Sequence, residues 1–199
     1  MTVIGITGTT GAGKTTALNA VRDLGGLVID CDAVYHDLTL NSADMLAEIR
    51  ARFPGTVRKG VLQRKRLGRI VFADEKALAD LNAITHRYVC EEVRMLLARH
   101  EKDGGTLAAV DAIALIESGL DGLCTFTVAV TAPEEQRILR IMAREGIDRS
   151  YAELRVRAQK DDAWFAEHCD HLLINDFDSA EGFERYCREF FTEKVRQST

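Results

Sequence analysis

Several features that mark particular classes of protein are missing from this sequence. It has only two prolines among 199 residues, and its five cysteines include no C-x-x-C pair. This spacing excludes a zinc ribbon and a thioredoxin-type redox site, and scattered cysteines are typical of reduced thiols in the cytoplasm. No stretch approaches the roughly 20 apolar residues of a membrane helix, and residues 1–7 lack the basic start of a signal peptide. We expect a cytoplasmic protein without a membrane partner.

An overall basic composition is missing as well. The 31 aspartates and glutamates outnumber the 26 lysines and arginines, for a net charge of -5. The chain as a whole therefore lacks the charge typical of nucleic-acid binding. Residues 137–160 are the exception, with seven basic and three acidic side chains. Hydrophobic residues make up 46% of the chain and charged residues 29%, which is typical of one globular domain.

Apolar strands alternate with helical segments, which predicts an α/β fold with a central parallel five-stranded sheet. The predicted strands are Val3–Thr7, Leu27–Asp30, Thr106–Ala112, Phe126–Thr131 and His171–Ile174. Residues 37–103 have helical periodicity and no strand pattern, so we interpret them as a helical insertion. We interpret the basic residues 137–160 as a lid of two helices. The core of this single domain would then comprise about residues 1–36, 104–136 and 161–199.

The most specific local motif directly follows the first strand. Residues 8–15 read G-T-T-G-A-G-K-T and satisfy the complete pattern G-x-x-x-x-G-K-[ST], with a predicted helix after it. Backbone N–H groups in such a loop bind phosphates, which predicts a nucleoside triphosphate. Lys14 would contact its β- and γ-phosphates, and the hydroxyl of Thr15 would bind Mg²⁺. The residues expected to hold the nucleotide here are Gly11, Ala12, Gly13, Lys14, Thr15 and Thr16.

This motif does not identify the phosphoryl acceptor. G proteins, ATPases and small-molecule kinases share it, but the sequence has no N-K-x-D motif of the G proteins after a late strand. The chain length and the helical insertion favour a small kinase of the nucleotide-kinase type.

Two carboxylates end the second predicted strand, in the segment V-I-D-C-D at residues 28–32. Strand alternation would place Asp30 and Asp32 on one face and Cys31 on the other. The carboxyl ends of parallel strands open at one edge of the sheet, so we expect Asp32 near the transferred phosphate. There it can accept a proton from the acceptor hydroxyl. The alternative is that Asp32 only caps a following helix.

The third strand also ends in a carboxylate, in the segment L-A-A-V-D at residues 107–111. This ending is similar to a Walker B strand, and it would let Asp111 reach Mg²⁺ through water. Glu117 and Ser118 follow shortly after and can face the acceptor. The alternative for Glu117 is an exposed helix carboxylate.

Arginines of the predicted lid supply positive charge. Arg140 and Arg144 lie four residues apart and share a helix face. Such arginines can neutralise charge that develops on the transferred phosphoryl group. We favour this role for Arg140, whereas the alternative for the whole basic cluster is a solvated helix face.

Together these segments resemble the dephospho-coenzyme A kinase family over nearly the whole chain. The family's V-I-D-A-D appears as residues 28–32, and its long motif G-x-L-x-R-x-x-L-x-x-I-V-F appears in full at residues 60–72. The lid pattern and the late A-D-x-x-I-x-N segment appear as Arg140, Arg144, Arg155, Gln159 and residues 169–175.

The resemblance implies a P-loop kinase with a three-layer fold, a helical acceptor-binding insertion and a helical lid. Its activity would be the Mg²⁺-dependent transfer of a phosphoryl group from ATP to the ribose 3′-hydroxyl of dephospho-coenzyme A. The resemblance implies that Asp32 is the general base, that Lys14 and Arg140 stabilise the phosphoryl group, and that Asn175 lies near the adenine. It implies that the acceptor is bound by Asp32, Arg64, His86, Asp111 and Glu117. We expect a monomer.

The sequence departs from the family pattern on the acceptor side. The family's Arg four residues after the second Asp is His36, and its H-P dipeptide is His86-Arg87. Its D-x-P-L-L-F-E-S segment reads D-A-I-A-L-I-E-S at residues 111–118. The changes within Ala112–Ile116 leave open a related P-loop kinase that acts on a different nucleotide or small-molecule acceptor.

Overall fold

The computed structural model describes residues 1–197, so Ser198 and Thr199 of the predicted core lie outside the described residues. The strands are β1 (Thr2–Gly8), β2 (Leu27–Asp30), β3 (Val57–Arg58), β4 (Val61–Leu62), β5 (Leu107–Asp111), β6 (Phe126–Thr131) and β7 (His171–Ile174). The α-helices are α1 (Lys14–Asp23), α2 (Cys31–Asn41), α3 (Ala43–Arg52), α4 (Arg64–Val71), α5 (Glu75–Lys102), α6 (Glu134–Glu145), α7 (Arg149–Arg157), α8 (Asp162–His168) and α9 (Ala180–Gln197). A 3-10 helix spans Leu120–Leu123.

A parallel sheet of five strands forms the centre of the molecule, in the order β2-β5-β1-β6-β7. The prediction of a five-stranded parallel sheet is therefore confirmed. Strand β1 lies in the middle and is buried along its whole length, since helices cover both faces of the sheet. The loop that follows β1 consequently emerges at the centre of the carboxyl edge, where parallel α/β sheets bind ligands.

Helices cover the sheet from both sides and complete three layers. On one face, α1 and α9 bury Val21, Phe183 and Phe191 against the apolar side chains of β1 and β6. On the other face, α5 buries Val93 and Leu97 against β5. Because these layers bury β1 and most of β5, the side chains at their carboxyl ends have defined positions.

Residues 37–103 have a hydrophobic cluster of their own, formed around Met45, Ile49, Phe53 and Leu67. The prediction that this segment has no strand is wrong, because β3 and β4 form an antiparallel hairpin within it. Both residues of its turn, Lys59 and Gly60, have positive φ values of 50° and 74°, as a two-residue type I′ turn requires. Two-residue strands are too short to produce the alternation by which strands are predicted.

The segment after β2 also differs from its predicted form. The strand ends at Asp30 and α2 begins at Cys31, so the strand alternation expected for Asp30 and Asp32 does not occur. The carboxylate of Asp30 accepts hydrogen bonds from the backbone N–H groups of Asp32 (2.9 Å) and Ala33 (3.1 Å). Asp30, rather than Asp32, is thus the helix cap. Asp32 therefore lies in the first turn of α2, and its side chain does not cap the helix.

Within residues 1–197, no helix combines the length and the apolar character needed to cross a membrane.

Candidate active site

The loop between β1 and α1 has a backbone that only glycine allows at several positions. Gly8, Gly11 and Gly13 have φ values of 140°, 80° and 102°, in the region that disfavours other residues. A Cβ at Gly8 would lie 2.1 Å from the carbonyl oxygen of Val130, and one at Gly13 would lie 2.5 Å from Nδ2 of Asn175. The glycines of the motif therefore serve both backbone conformation and close packing.

This loop forms the floor of a cavity of about 620 Å³. Helix α1 begins there with no side-chain cap and no acidic residue in its first turn, so its terminal N–H groups are available to an anion. The predicted nucleotide residues that line the cavity are Gly11, Gly13, Lys14, Thr15, Thr16 and Asn175. Arg140, which we expect to stabilise the phosphoryl group, lines it as well. Ala12 is fully buried in the core instead, so its methyl group faces away from the cavity.

A buried arginine braces the loop from the side of α6. Nε of Arg137 donates to the carbonyl oxygen of Thr10 (3.2 Å), and Nη2 donates to Oε1 of Gln159 (2.8 Å). Gln159 in turn accepts from the Thr10 N–H (3.0 Å) and donates to its hydroxyl (2.9 Å). Arg137 is only 6% exposed. The sequence alone placed it among the other basic residues of the lid and did not predict that it holds the phosphate loop in place. No local pattern distinguishes it from its neighbours.

Asn175 and Arg140 contact the same loop from two other elements. Nδ2 of Asn175, directly after β7, donates to the carbonyl oxygen of Ala12 (2.7 Å). Nη1 of Arg140 lies 3.3 Å from the carbonyl oxygen of Gly11. Oδ1 of Asn175 is buried and has no hydrogen-bond partner among residues 1–197. The structure thus brings both predicted residues to the phosphate loop.

Two further lid arginines line the same cavity. Arg144 and Arg155 both form ion pairs with Glu145, at 2.6 Å in the case of Arg144. The pairing is solvent-exposed and worth little energy, so a phosphate can compete for either guanidinium.

Lys14 reaches across the loop to the neighbouring strand. Its Nζ lies 2.5 Å from Oδ1 of Asp111, and Asp111 is the direct register partner of Asp30 on β2. Burial raises the pKa of Asp111, the nearby Lys14 ammonium opposes this shift, and the charges of Asp30 and Asp32 add to it. The carboxylates predicted at two strand ends therefore lie together, beside the lysine of the phosphate loop.

Asp32 lines a second cavity, of about 270 Å³, between α2 and α5. Tyr35, Asn82, Thr85 and His86 are among its polar lining groups. Asn82 and His86 lie four residues apart on α5, a spacing that places both on one helix face and that offered a signal for Asn82. The second cavity shares one wall with the first, because Ile113 lines both.

The remaining predicted acceptor residues differ in whether they line the Asp32 cavity. His86 lines its cavity, and burial lowers the pKa of the imidazole while the carboxylate of Glu117 opposes this. Glu117 is exposed beside it rather than part of a helix. Arg64 does not line this cavity. Its Nη2 lies 2.7 Å from Nδ1 of His36 and donates to the hydroxyl of Thr39 (2.9 Å).

Arg87, which replaces the proline of the family's H-P dipeptide, points away from both cavities. It forms an exposed ion pair with Glu48 at 2.5 Å. This departure therefore lies outside the lining of both cavities, whereas Ala112, Ile113 and Ala114 line the Asp32 cavity.

Comparison with known proteins gives the family. The profile of the dephospho-CoA kinases matches residues 2–181 of this chain. The chain belongs to the dephospho-CoA kinase family. Curated dephospho-CoA kinases similar to it include that of Paramagnetospirillum magneticum, 38% identical over 149 residues that cover 75% of this chain and 70% of the relative. The dephospho-CoA kinase of Corynebacterium jeikeium is 33% identical over 176 residues, 88% of this chain and 91% of the relative.

A solved structure gives the same result for the fold. A crystal structure from Thermus thermophilus matches with a TM-score of 0.77 and 33% identity, and the match covers 96% of this chain and 97% of that one. The likeness to a solved structure therefore extends over nearly the whole chain.

Proposed function

We propose that this chain transfers the γ-phosphoryl group of ATP to the ribose 3′-hydroxyl of dephospho-coenzyme A, which gives coenzyme A and ADP. The observation that carries this proposal is the common wall at Ile113 between the phosphate-loop cavity and the Asp32 cavity. A nucleotide in the first and an alcohol in the second would meet beside Lys14 and Asp111. Membership of the family supports the identity of the acceptor.

Asp32 is the proposed general base of the transfer. Its carboxylate takes the proton of the acceptor hydroxyl as the hydroxyl oxygen bonds to the γ-phosphorus. The bond from that phosphorus to the β–γ bridging oxygen breaks, and ADP leaves with the bond's electrons. Because Asp30 caps α2, Asp32 does not have to satisfy the helix backbone and can face the acceptor.

Lys14 and Arg140 are the proposed stabilisers of the transferred group. Both line the phosphate-loop cavity, where positive charge neutralises the charge of the equatorial oxygens. Lys14 must exchange its ion pair with Asp111 for the phosphates when the nucleotide binds. Gly11, Gly13, Thr16 and Asn175 would hold the nucleotide, Gly11 and Gly13 through their backbone N–H groups.

The donor set near Lys14 fits Mg²⁺. No group of three or more His, Cys, Asp or Glu side chains within the described part of the chain is arranged to hold a metal by itself. Mg²⁺ is usually bound by one or two protein oxygens, with phosphates and waters as its other ligands. We propose the hydroxyl of Thr15 as a direct ligand and Asp111 as a partner through water. When bound, Mg²⁺ neutralises charge on the β- and γ-phosphates.

We also propose that the insertion, residues 37–103, binds the acceptor through contacts that include Arg64 and His86. Glu117, which lies outside the insertion, is a further proposed contact, and residues 137–160 are the proposed lid. The proposed active form is a monomer. All five cysteines are free, which supports the expected location in the reducing cytoplasm.

The test is ADP release by the purified protein with ATP, Mg²⁺ and dephospho-coenzyme A, measured against a control without acceptor. We expect acceptor-dependent ADP release, with coenzyme A identified by mass. ATP binding without turnover of this acceptor would contradict the proposal and direct the search to a different acceptor.

A further inference from the structure

We propose that a basic groove beside α4 binds the diphosphate of the acceptor. The α4 groove has a volume of about 740 Å³, and its charged lining consists of Arg58, Arg64, Lys65, Arg66 and Arg69. The inference rests on the proposed function, since the diphosphate belongs to dephospho-coenzyme A. The inference assigns a binding site to the diphosphate, a part of the acceptor that does not react.

The charge of the α4 groove points to an anion. Five cationic side chains line it and no carboxylate does, although the chain as a whole has a net charge of -5. Lys65 and Arg69 lie four residues apart and therefore share one face of α4. Such concentrated charge is costly in an empty groove, and a diphosphate would neutralise it through charge-assisted hydrogen bonds.

The start of α4 is a second and independent indication. Among the α-helices of residues 1–197, only α1 and α4 begin with neither a side-chain cap nor an acidic residue in the first turn. For α1, the available N–H groups lie at the phosphate loop. Gln63, directly before α4, and the first two helix residues, Arg64 and Lys65, line the groove. Both helix starts are therefore arranged for a negative ligand.

Arg64 joins the α4 groove to the Asp32 cavity. It contacts His36 and Thr39, which share one face of α2 with Asp32 and Tyr35 because of their spacing. His36 lies one turn beyond Asp32, about 6 Å along the helix axis. In dephospho-coenzyme A the diphosphate is attached through C5′ of the same ribose that carries the reacting 3′-hydroxyl. One molecule can therefore place its hydroxyl at Asp32 and its diphosphate in the groove.

The test is the steady-state kinetics of the double variant Lys65→Gln/Arg69→Gln with ATP and dephospho-coenzyme A. We expect the KM for dephospho-coenzyme A to rise about tenfold or more, since two charge-assisted hydrogen bonds are lost. The KM for ATP and kcat should stay within about twofold of wild type, because this contact is the same in ground and transition states. The matched control is Arg99→Gln/Lys102→Gln, which removes the same charge from exposed side chains at the end of α5 that line neither the α4 groove nor the Asp32 cavity. This control should leave every constant unchanged.

The possible failures are distinguishable. If the wild-type protein does not phosphorylate dephospho-coenzyme A, the proposed function fails and the ligand of the groove fails with it. Suppose instead that the wild type is active but the groove variant keeps its KM for this acceptor, or that both double variants change alike. Either result overturns only the proposal that the α4 groove binds the diphosphate. Thermal melting of each variant checks that it is folded, and the single variants Lys65→Gln and Arg69→Gln replace a double variant that is not.

Discussion

The two sides of the candidate site are built differently. The phosphate loop is held through its backbone by Arg137, Gln159, Arg140 and Asn175, which come from three separate segments of the chain. On the acceptor side, Arg64 is held only by side chains of α2. A triphosphate is common to many kinases and can be recognised by backbone N–H groups, whereas one particular acceptor has to be recognised by side chains. Variation in sequence is therefore easier to accommodate on the acceptor side.

The largest effect is expected where the two sides meet. Asp32→Asn removes the proposed base, so kcat should fall by about 10²- to 10⁴-fold. The KM for ATP should change by less than about threefold, because the phosphate loop does not use Asp32. Steady-state kinetics with both substrates measures this. Asp30→Asn is the control, since asparagine also caps helices. An equal loss of turnover and ATP affinity in Asp32→Asn would contradict its assignment as the base.

A pair of glycines compares the two sides directly. Gly13→Ala places a Cβ 2.5 Å from Nδ2 of Asn175 at a φ of 102°, and strain of this kind costs about 1–3 kcal/mol. We expect the KM for ATP to rise about tenfold. Gly60→Ala also has a positive φ, but no atom lies within 4 Å of its Cβ. Its KM for ATP should equal that of wild type, and similar KM values in the two variants would remove the argument from close packing.

A pair of arginines makes the same comparison for stability. Arg137→Met breaks hydrogen bonds of a side chain that is 6% exposed, which should lower the free energy of unfolding by about 2–3 kcal/mol. The melting temperature should then fall by several degrees. Arg87→Met removes an exposed ion pair with Glu48 and should leave the melting temperature unchanged. Calorimetry measures the melting temperatures of both variants. Equal melting temperatures would show that Arg137 does not stabilise the phosphate loop.

The smallest effect concerns proton binding at His86. The carboxylate of Glu117 raises the pKa of His86 against the larger lowering by burial, so Glu117→Gln should lower this pKa further. A lowered histidine pKa means that the unfolded chain binds more protons, and stability is lost as the pH falls through about 6.5. Proton NMR of the imidazoles measures the shift. His171, whose pKa is also lowered by burial, is the internal reference and should not move.

Much of the fold followed from local patterns because they are strong in the core. The alternation of apolar strands and helices predicted the five strands of the sheet, and β7 has the predicted bounds His171–Ile174. Prediction was wrong where elements are short or adjoin without a loop. The hairpin β3–β4 has two residues in each strand, and α2 follows β2 with no residue between them. The hairpin and the β2–α2 junction therefore have no clear periodic pattern.

The candidate site divides in the same way. Local sequence by itself determined the phosphate loop, since its glycine spacing and its place between a strand and a helix are properties of consecutive residues. Only the tertiary structure decided which distant groups meet that loop. Thr10 and Gln159 are 149 residues apart, and Ala12 and Asn175 are 163 apart. Such contacts depend on the order of the strands in the sheet. They also depend on which side chains stay unburied at the carboxyl edge of the sheet. No pattern of neighbouring residues contains that information.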